Sequence, residues 1–467
     1  MSLGPRNTLP ISVLISALAL LVGGLSAPAG AAEPTPTEIE LVSARAYADS
    51  QVTLGIRLLA EDGEPILDAA LEVERRVDDE WTPVGTVTTD AEGRAAQELV
   101  VARKPVDNAV RARFAGDETH APVIAREHLQ LKRRASVLRI DAPKRVKDGR
   151  SVRVRLRWTA RNGTPVAGRV TVLRSVDGGR FTSVRVLRTG GQGRAALSVT
   201  PRRDTRWKAR AKRQPWVKGD TSPIRRIVNV PPGKPVRLPK AAPSPRRKLP
   251  AQGHAKGSGP NVVVSRIPDR IWGHMTGISW RSGCPVGRAG LRLVRVNYWD
   301  YLGYKRRGEL VANADAAGAM GAALAEMFRR KLPVRAMYRV DRFGWSARSH
   351  GGDDYASMAA GNTSAFNCRD VTGRPGVRSP HSYGRSLDLN TWENPYRSAQ
   401  GVVPNTWWLS RSHPRVAWRS RSHPVVALMA RHGLRWTYGT GDNHHFDYVG
   451  SRARADVLPR ACDRYCD

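Results

Sequence analysis

Cysteine is scarce in this chain of 467 residues, with only four, and none precedes Cys284. Everything before that point must hold together without disulfides. Long apolar runs are equally scarce. Leu9 to Leu25 forms one, rich in Leu, Ile and Ala, and no later run reaches the length that spans a bilayer. Negative charge is thin as well. Asp and Glu number 41 against 77 Lys and Arg, a formal charge of +36. Residues 231–260 hold no acidic residue, but eight prolines and seven Lys or Arg. Such a stretch cannot bury a core and reads as an extended, mobile linker.

The N-terminus reads as a secretory signal over residues 1–31. Arg6 supplies the positive region, Leu9 to Leu25 the apolar one, and Ala29-Gly30-Ala31 a small-residue cleavage site. A retained membrane anchor is the alternative. Export suits the cysteines: Cys284, Cys368, Cys462 and Cys466 are even in number, and Cys284–Cys368 with Cys462–Cys466 is the pairing expected. A structural zinc at Cys462 and Cys466 is the rival for that last pair. In an exported chain the positive charge points to anionic wall polymers reached through the basic linker, or to solubility alone, and no nucleic acid is expected as partner.

A repeat recurs at an offset of one hundred residues. Val52-Thr-Leu-Gly-Ile56 matches Val152-Arg-Val-Arg-Leu156, Gly63-Glu-Pro65 matches Gly163-Thr-Pro165, and Gly93-Arg-Ala-Ala96 matches Gly193-Arg-Ala-Ala196. Alternating runs between them, such as Leu71-Glu-Val-Glu and Val170-Thr-Val-Leu, predict short antiparallel strands. Residues 33–132 and 133–230 are thus expected to form two all-β sandwiches. They resemble bacterial immunoglobulin-like repeats, and Phe114-Ala-Gly-Asp117 resembles a turn such repeats carry near the last strand. Their role reads as spacer.

Residues 261–467 mix both element types, which predicts a compact α+β domain. Leu291 to Tyr298 and Val334 to Val340 read as strands. Asn313 is placed to cap a helix running to Lys331, with Met320, Ala323, Leu324, Met327 and Phe328 on one face. A short helix from Pro424 to His432 closes at Gly433, and a strand starts at Leu434.

The chemistry concentrates in two segments. Ser379-Pro-His-Ser-Tyr-Gly-Arg-Ser-Leu-Asp-Leu-Asn390 places His381 and Asp388 seven residues apart, and Asp442-Asn-His-His-Phe446 follows. Two imidazoles and a carboxylate suffice for a zinc ion with an open position for water, and a further carboxylate can take a proton. These motifs resemble the zinc D-alanyl-D-alanine carboxypeptidase and L-alanyl-D-glutamate peptidase family, which has a hedgehog-type fold. The resemblance runs from about residue 290 to 450, through Asn362-Thr-Ser-Ala-Phe-Asn-Cys-Arg369 and Asn394-Pro-Tyr396. It implies a Zn2+ cofactor on His381, Asp388 and His445, Asp442 as base, and Arg369 near the scissile carbonyl. Ser379 is implied as a substrate contact. Ser386 stands where the family usually has Ala, and Asp442 where Glu is common. His444 leaves the register open; His445 is preferred as ligand, with His444 exposed or behind the ligands. Asp353 and Asp354 are expected to be solvated. The twin Arg-Ser-His-Pro segments, with His413 and His423, read as surface or substrate rim. The implied activity is hydrolysis of amide bonds in peptidoglycan stem peptides by a secreted, wall-associated protein. The alternative is a non-catalytic wall-binding protein that keeps the fold.

Overall fold

The structure, a computed structural model, describes residues 33–371, 374–399 and 401–450. The expected signal and the Cys462–Cys466 pair lie outside them. Among the described residues no helix is long and apolar enough to cross a membrane.

Strict alternation builds the first repeat. In Gln51–Ala60, Val52, Leu54, Ile56 and Leu58 turn inward. This strand lies between Thr37–Ser43 and Arg94–Val100. A second sheet orders Glu80–Thr88, Ala70–Val77, Ala109–Phe114 and Val123–His128. Leu54 and Leu58 from one sheet share a core with Leu71, Val73, Ala112 and Phe114 from the other. In the second repeat Val152–Ala160 lies between Ser136–Asp141 and Arg194–Val199. Its core gathers around the fully buried Trp158 and Trp207.

The hundred-residue offset extends to individual hydrogen bonds. Leu58 N–H donates to Gly93 O at 2.9 Å, and Trp158 N–H to Gly193 O at 2.8 Å. Both glycines have positive φ, 68° and 66°, and a Cβ would meet Leu58 O at 2.5 Å or Trp158 O at 2.3 Å. Only glycine serves there. The Thr89 hydroxyl donates to Ile66 O and accepts from Ala69 N–H; Thr189 does the same for Val166 O and Gly168 N–H.

Residues 231–260 form no helix or strand, and the structure does not leave them as a free tether. Val236 N–H bonds to Tyr301 O at 2.8 Å, and the Trp392 indole donates to Pro243 O at 2.7 Å. Gln252 bonds both Met337 N–H and Met337 O. A proline-rich backbone has few donors of its own, and here one backbone N–H, a linker side chain and the Trp392 indole make the contacts.

In that region Leu291–Trp299 and Lys305–Asn313 form a hairpin with the helix Ala317–Arg329 packed on it. Met320, Ala323, Leu324 and Met327 meet Val294, Val296 and Leu310, and reach Leu387 and Phe446. Phe328 stacks on Trp299 at 5.6 Å. The helix begins later than expected: Asn313 Oδ1 accepts from Asp315 N–H in a turn ahead of it, while the Asn313 side-chain amide donates to Tyr383 O and its backbone to Gly384 O. The strand expected at Val334–Val340 makes only one isolated bridge, Ala336 to Asn362. Side-chain amides take the place of a neighbouring strand, with Arg335 N–H on Asn390, Met337 N–H on Gln252 and Tyr338 N–H on Asn362. Cys284 and Cys368 are disulfide-bonded, closing a separation of 84 residues.

Candidate metal centre

Register decides the centre. Ser386–Asp388 pairs antiparallel with His445–Tyr448, and the direct partners are Ser386 with Asp447, Leu387 with Phe446, and Asp388 with His445. Alternation sends Leu387 and Phe446 into the core and turns the other four residues to the opposite face. His381 arrives on the turn Pro380–Tyr383, which ends at Gly384 in the left-handed region, φ 69°. A Cβ at Gly384 would meet Asn313 N at 2.7 Å.

His381, Asp388 and His445 are buried, with one ligand atom of each lying within 4.8 Å of the others. His381 Nε2 is 3.2 Å from His445 Nδ1 and 3.2 Å from Asp388 Oδ2; Asp388 Oδ1 is 3.4 Å from His445 Nδ1. A tetrahedral zinc with bonds of about 2.1 Å has ligand–ligand edges of about 3.4 Å. The tautomers agree with this reading. His381 Nδ1–H donates to Ala365 O at 2.7 Å, and His445 Nε2–H to Asp447 at 2.9 Å. In the neutral rings the two facing nitrogens carry lone pairs. Burial adds a further sign, since Asp388 Oδ1 and both oxygens of Asp442 have no hydrogen-bond donor. Bare lone pairs and undonated carboxylate oxygens converging at this distance suit a cation.

Around these residues the chain fixes their orientation. Asp447 accepts from Ser386 at 2.7 Å and from Thr437 at 2.6 Å besides His445. Burial pushes its carboxyl up, but His445 Nε2–H and the two hydroxyl donors outweigh it and hold it at about 2. Ser386 thus has a task here, through its bond to Asp447. Asn394 bonds Leu389 O, Asn390 O and Val416 O, and its own carbonyl accepts from His444 Nδ1–H at 2.6 Å. Trp418 and Trp436 both donate to Asn443 O. His444 is therefore buried rather than exposed, with Nε2 3.3 Å from Asp442 Oδ1 and 3.8 Å from Asp388 Oδ1.

Asp442 lies outside the ligand trio, as its spacing suggests. Burial lifts its carboxyl to about 6, with Asp388 adding to the effect and the nearby histidines opposing it. For Asp388 burial also acts upward, but His381 and His444 prevail and hold it well below the usual carboxylate range.

Three sequence readings change. Asp354, expected to be solvated, is buried and ion-paired to the buried Arg369 at 2.9 Å. Asp353 caps the following helical turn through Ala356 N–H. Ser379, expected at the substrate, is fully buried, and its hydroxyl accepts from His381 N–H at 3.4 Å. What the structure gives it is a hold on the ligand turn. Asp447 was missed by the sequence reading. The spacing His-x-Asp on one strand face was the available signal, legible only once the strand is known.

Residues 372–448 match the family model described as D-alanyl-D-alanine carboxypeptidase. The matched stretch contains His381, Asp388, Asp442 and His445, begins after Arg369, and supports a peptidase. Among curated proteins none matches the chain. Solved structures that overlap include native E. coli alpha-2-macroglobulin, at 10% identity, over 57% of this chain and 18% of that one, with a TM-score of 0.20. A Salmonella alpha-2-macroglobulin reacted with methylamine gives 11% over the same shares at 0.20. A marsupial T cell receptor gives 10% over 58% of this chain and 99% of that one at 0.21. The chain thus spans under a fifth of the macroglobulins, and overlaps this loose carry no argument.

Proposed function

We propose that the C-terminal region is a zinc peptidase that hydrolyses amide bonds in peptidoglycan stem peptides outside the cell. The observation that carries this is the convergence of His381 Nε2, His445 Nδ1 and Asp388 within zinc-ligand spacing, beside a buried Asp442 whose oxygens have no donor. Zinc held there would supply Lewis acidity and lower the pKa of a water. Asp442 takes the proton from the attacking water and passes it to the leaving amine. Its raised pKa suits both steps, since a base that holds its proton too weakly cannot accept one. Arg369, steadied by Asp354, stabilises the oxyanion as charge develops on the scissile carbonyl. Export is supported by the Cys284–Cys368 disulfide.

Incubating the chain with purified stem peptides, and reading products by mass spectrometry, tests this. Hydrolysis is expected to stop on chelation and return with zinc, and Asp442→Ala is expected to lose at least about 10²–10⁴-fold in kcat, the range for general acid–base catalysis. The ionised base also requires kcat/KM to fall as pH drops through about 6 or somewhat below, where the cation shifts Asp442. Undiminished hydrolysis by Asp442→Ala would sink the mechanism. Tight zinc binding with no cleavage of any stem peptide would favour a wall-binding protein that keeps the fold.

A further inference from the structure

The two repeats carry the same sheet with opposite outer faces. In the second repeat, Val152–Ala160 turns Val154, Leu156 and Trp158 inward and Arg153, Arg155 and Arg157 outward, all three exposed. The neighbouring strands add to that face. Arg157 pairs with Arg139 on one side and Arg194 on the other, so three arginines stand in one row across three strands. Arg139 and Arg194 are exposed as well. The acidic side chain on this face is Asp141, which is in an ion pair with Arg225 at 3.5 Å. No ion pair involves Arg139, Arg153, Arg155, Arg157 or Arg194 among the described residues. Like charges directly opposite on a sheet are destabilising.

The first repeat provides the internal control. At the matching register Arg57 lies between Glu40 and Arg94, and Thr53 lies opposite Glu98, to which its hydroxyl donates. Glu38 is on the same face. Two arginines and three glutamates therefore stand where the second repeat has five arginines and one aspartate. A general bias toward arginine would load both faces alike.

Spacing and composition describe the partner. Residues two apart on a strand are about 6.7 Å apart, and adjacent strands lie about 4.8 Å apart. Arg153, Arg155 and Arg157 thus form a line of cations at regular intervals, flanked at one end by two more. Guanidinium groups bind phosphate oxygens bidentately. A single-stranded nucleic acid would call for aromatic platforms on which bases stack. This face instead presents Val137, Thr159, Ala196 and Ser198 beside the arginines. We infer that the outer face of the Ser136–Asp141, Val152–Ala160 and Arg194–Val199 sheet binds a linear, base-free phosphodiester polymer of the cell wall, lying along the central strand.

The test is binding of the full chain to poly(glycerol phosphate) across a salt series, a readout independent of peptidase activity. Changing Arg139→Glu, Arg153→Thr and Arg155→Gln brings the face close to that of the first repeat. That variant is expected to bind at least tenfold more weakly, and the slope of log K against log salt is expected to flatten by about 2 for three lost phosphate contacts. Changing Arg169→Gln, Arg188→Gln and Arg210→Gln removes three exposed charges from the other sheet of the same repeat. It is expected to change binding by less than threefold. Circular dichroism checks that both variants fold, and a lysine version of the first triple is expected to retain most binding if it does. Equal losses in the two triples would reduce the effect to net charge and overturn the proposal, as would unchanged binding in the first. Poly(dT) bound as tightly as poly(glycerol phosphate), or preference for anionic phosphatidylglycerol vesicles, would overturn the assignment to a base-free wall polymer.

Discussion

In the repeats, buried polar groups tie the chain to itself. Thr89 and Thr189 each hold a turn through one donated and one accepted bond, and Asn108 closes on Ala102 through both its amide atoms. Between residues 335 and 447 the chain buries a different set: Arg339 with Asp341, Arg369 with Asp354, Glu393 under the part-buried Arg335, and Asp388, Asp442 and Asp447 among three histidines. Most of these are paired, but Asp388 Oδ1 and both Asp442 oxygens are not. An undonated buried acceptor costs about 1–3 kcal/mol. The repeats leave unpartnered atoms too, at Ser43, Arg57, Asp107 and Arg206, but those are scattered, whereas the unpaired carboxylate oxygens of the site face three imidazoles in one cluster that suits a cation.

That contrast has a direct measurement. A ligand that binds the folded form at a thousand times its Kd adds about 4 kcal/mol. On chelation, hydrogen-exchange protection is expected to fall by up to about that amount at Ser386–Asp388 and His445–Tyr448. Protection in the Gly168–Val176 strand is expected to stay unchanged. Equal loss in both regions would erase the distinction.

Single substitutions sharpen it further. Asp447→Asn keeps the shape but removes the charge opposite His445 Nε2–H, and a lost partner of this kind weakens metal binding about 10–100-fold. Competition against a calibrated zinc chelator reads this without any turnover. Thr189→Val instead strands Gly168 N–H and Val166 O inside the second repeat. It is expected to lower stability by about 1–3 kcal/mol in urea titration while leaving zinc affinity as it was.

The same contrast explains what could be read in advance. Strands of the repeats follow period two, and the offset between Gly93 and Gly193 is visible in the letters because each copy needs glycine at the same close approach. His381, Asp388 and His445 could be picked out together because few residue types can ligate a metal, and the fold brings these three side by side. The supports could not. Arg369 with Asp354, Ser379 under His381, and Asp447 behind His445 are contacts between side chains whose meeting depends on the fold. Val334 to Val340 has the residue pattern of a strand, but its backbone is satisfied by side-chain amides 24 to 85 residues away, a substitution that propensity cannot register. The linker misled for a related reason. Its composition cannot make a core, yet it can lie on one, and Trp392 and Gln252 hold it there.

The smallest expected effect concerns acid. The twin Arg-Ser-His-Pro segments use their imidazoles alike: His413 Nδ1 accepts from Arg415 N–H at 3.1 Å, and His423 Nδ1 from Val425 N–H at 3.2 Å. Each Nε2–H donates in turn, His423 to His413 O and His413 to Arg237 O in the docked linker. Both rings are needed neutral, and burial lowers the pKa of each, with the backbone acceptors opposing it. A histidine whose folded pKa is depressed contributes stability that is present above its unfolded value of about 6.5 and lost as pH falls toward the folded value. Both side chains are partly exposed, so solvent screening keeps the effect small. Zinc-loaded protein is expected to lose a few degrees of Tm between pH 7.5 and 5, and His413→Gln with His423→Gln to lose less, since an amide can accept and donate without titrating. The repeats keep His128 exposed and use no imidazole as an internal acceptor of backbone N–H among the described residues. If the double variant shows the full acid loss, the titrating groups lie elsewhere and the linker is held without regard to pH.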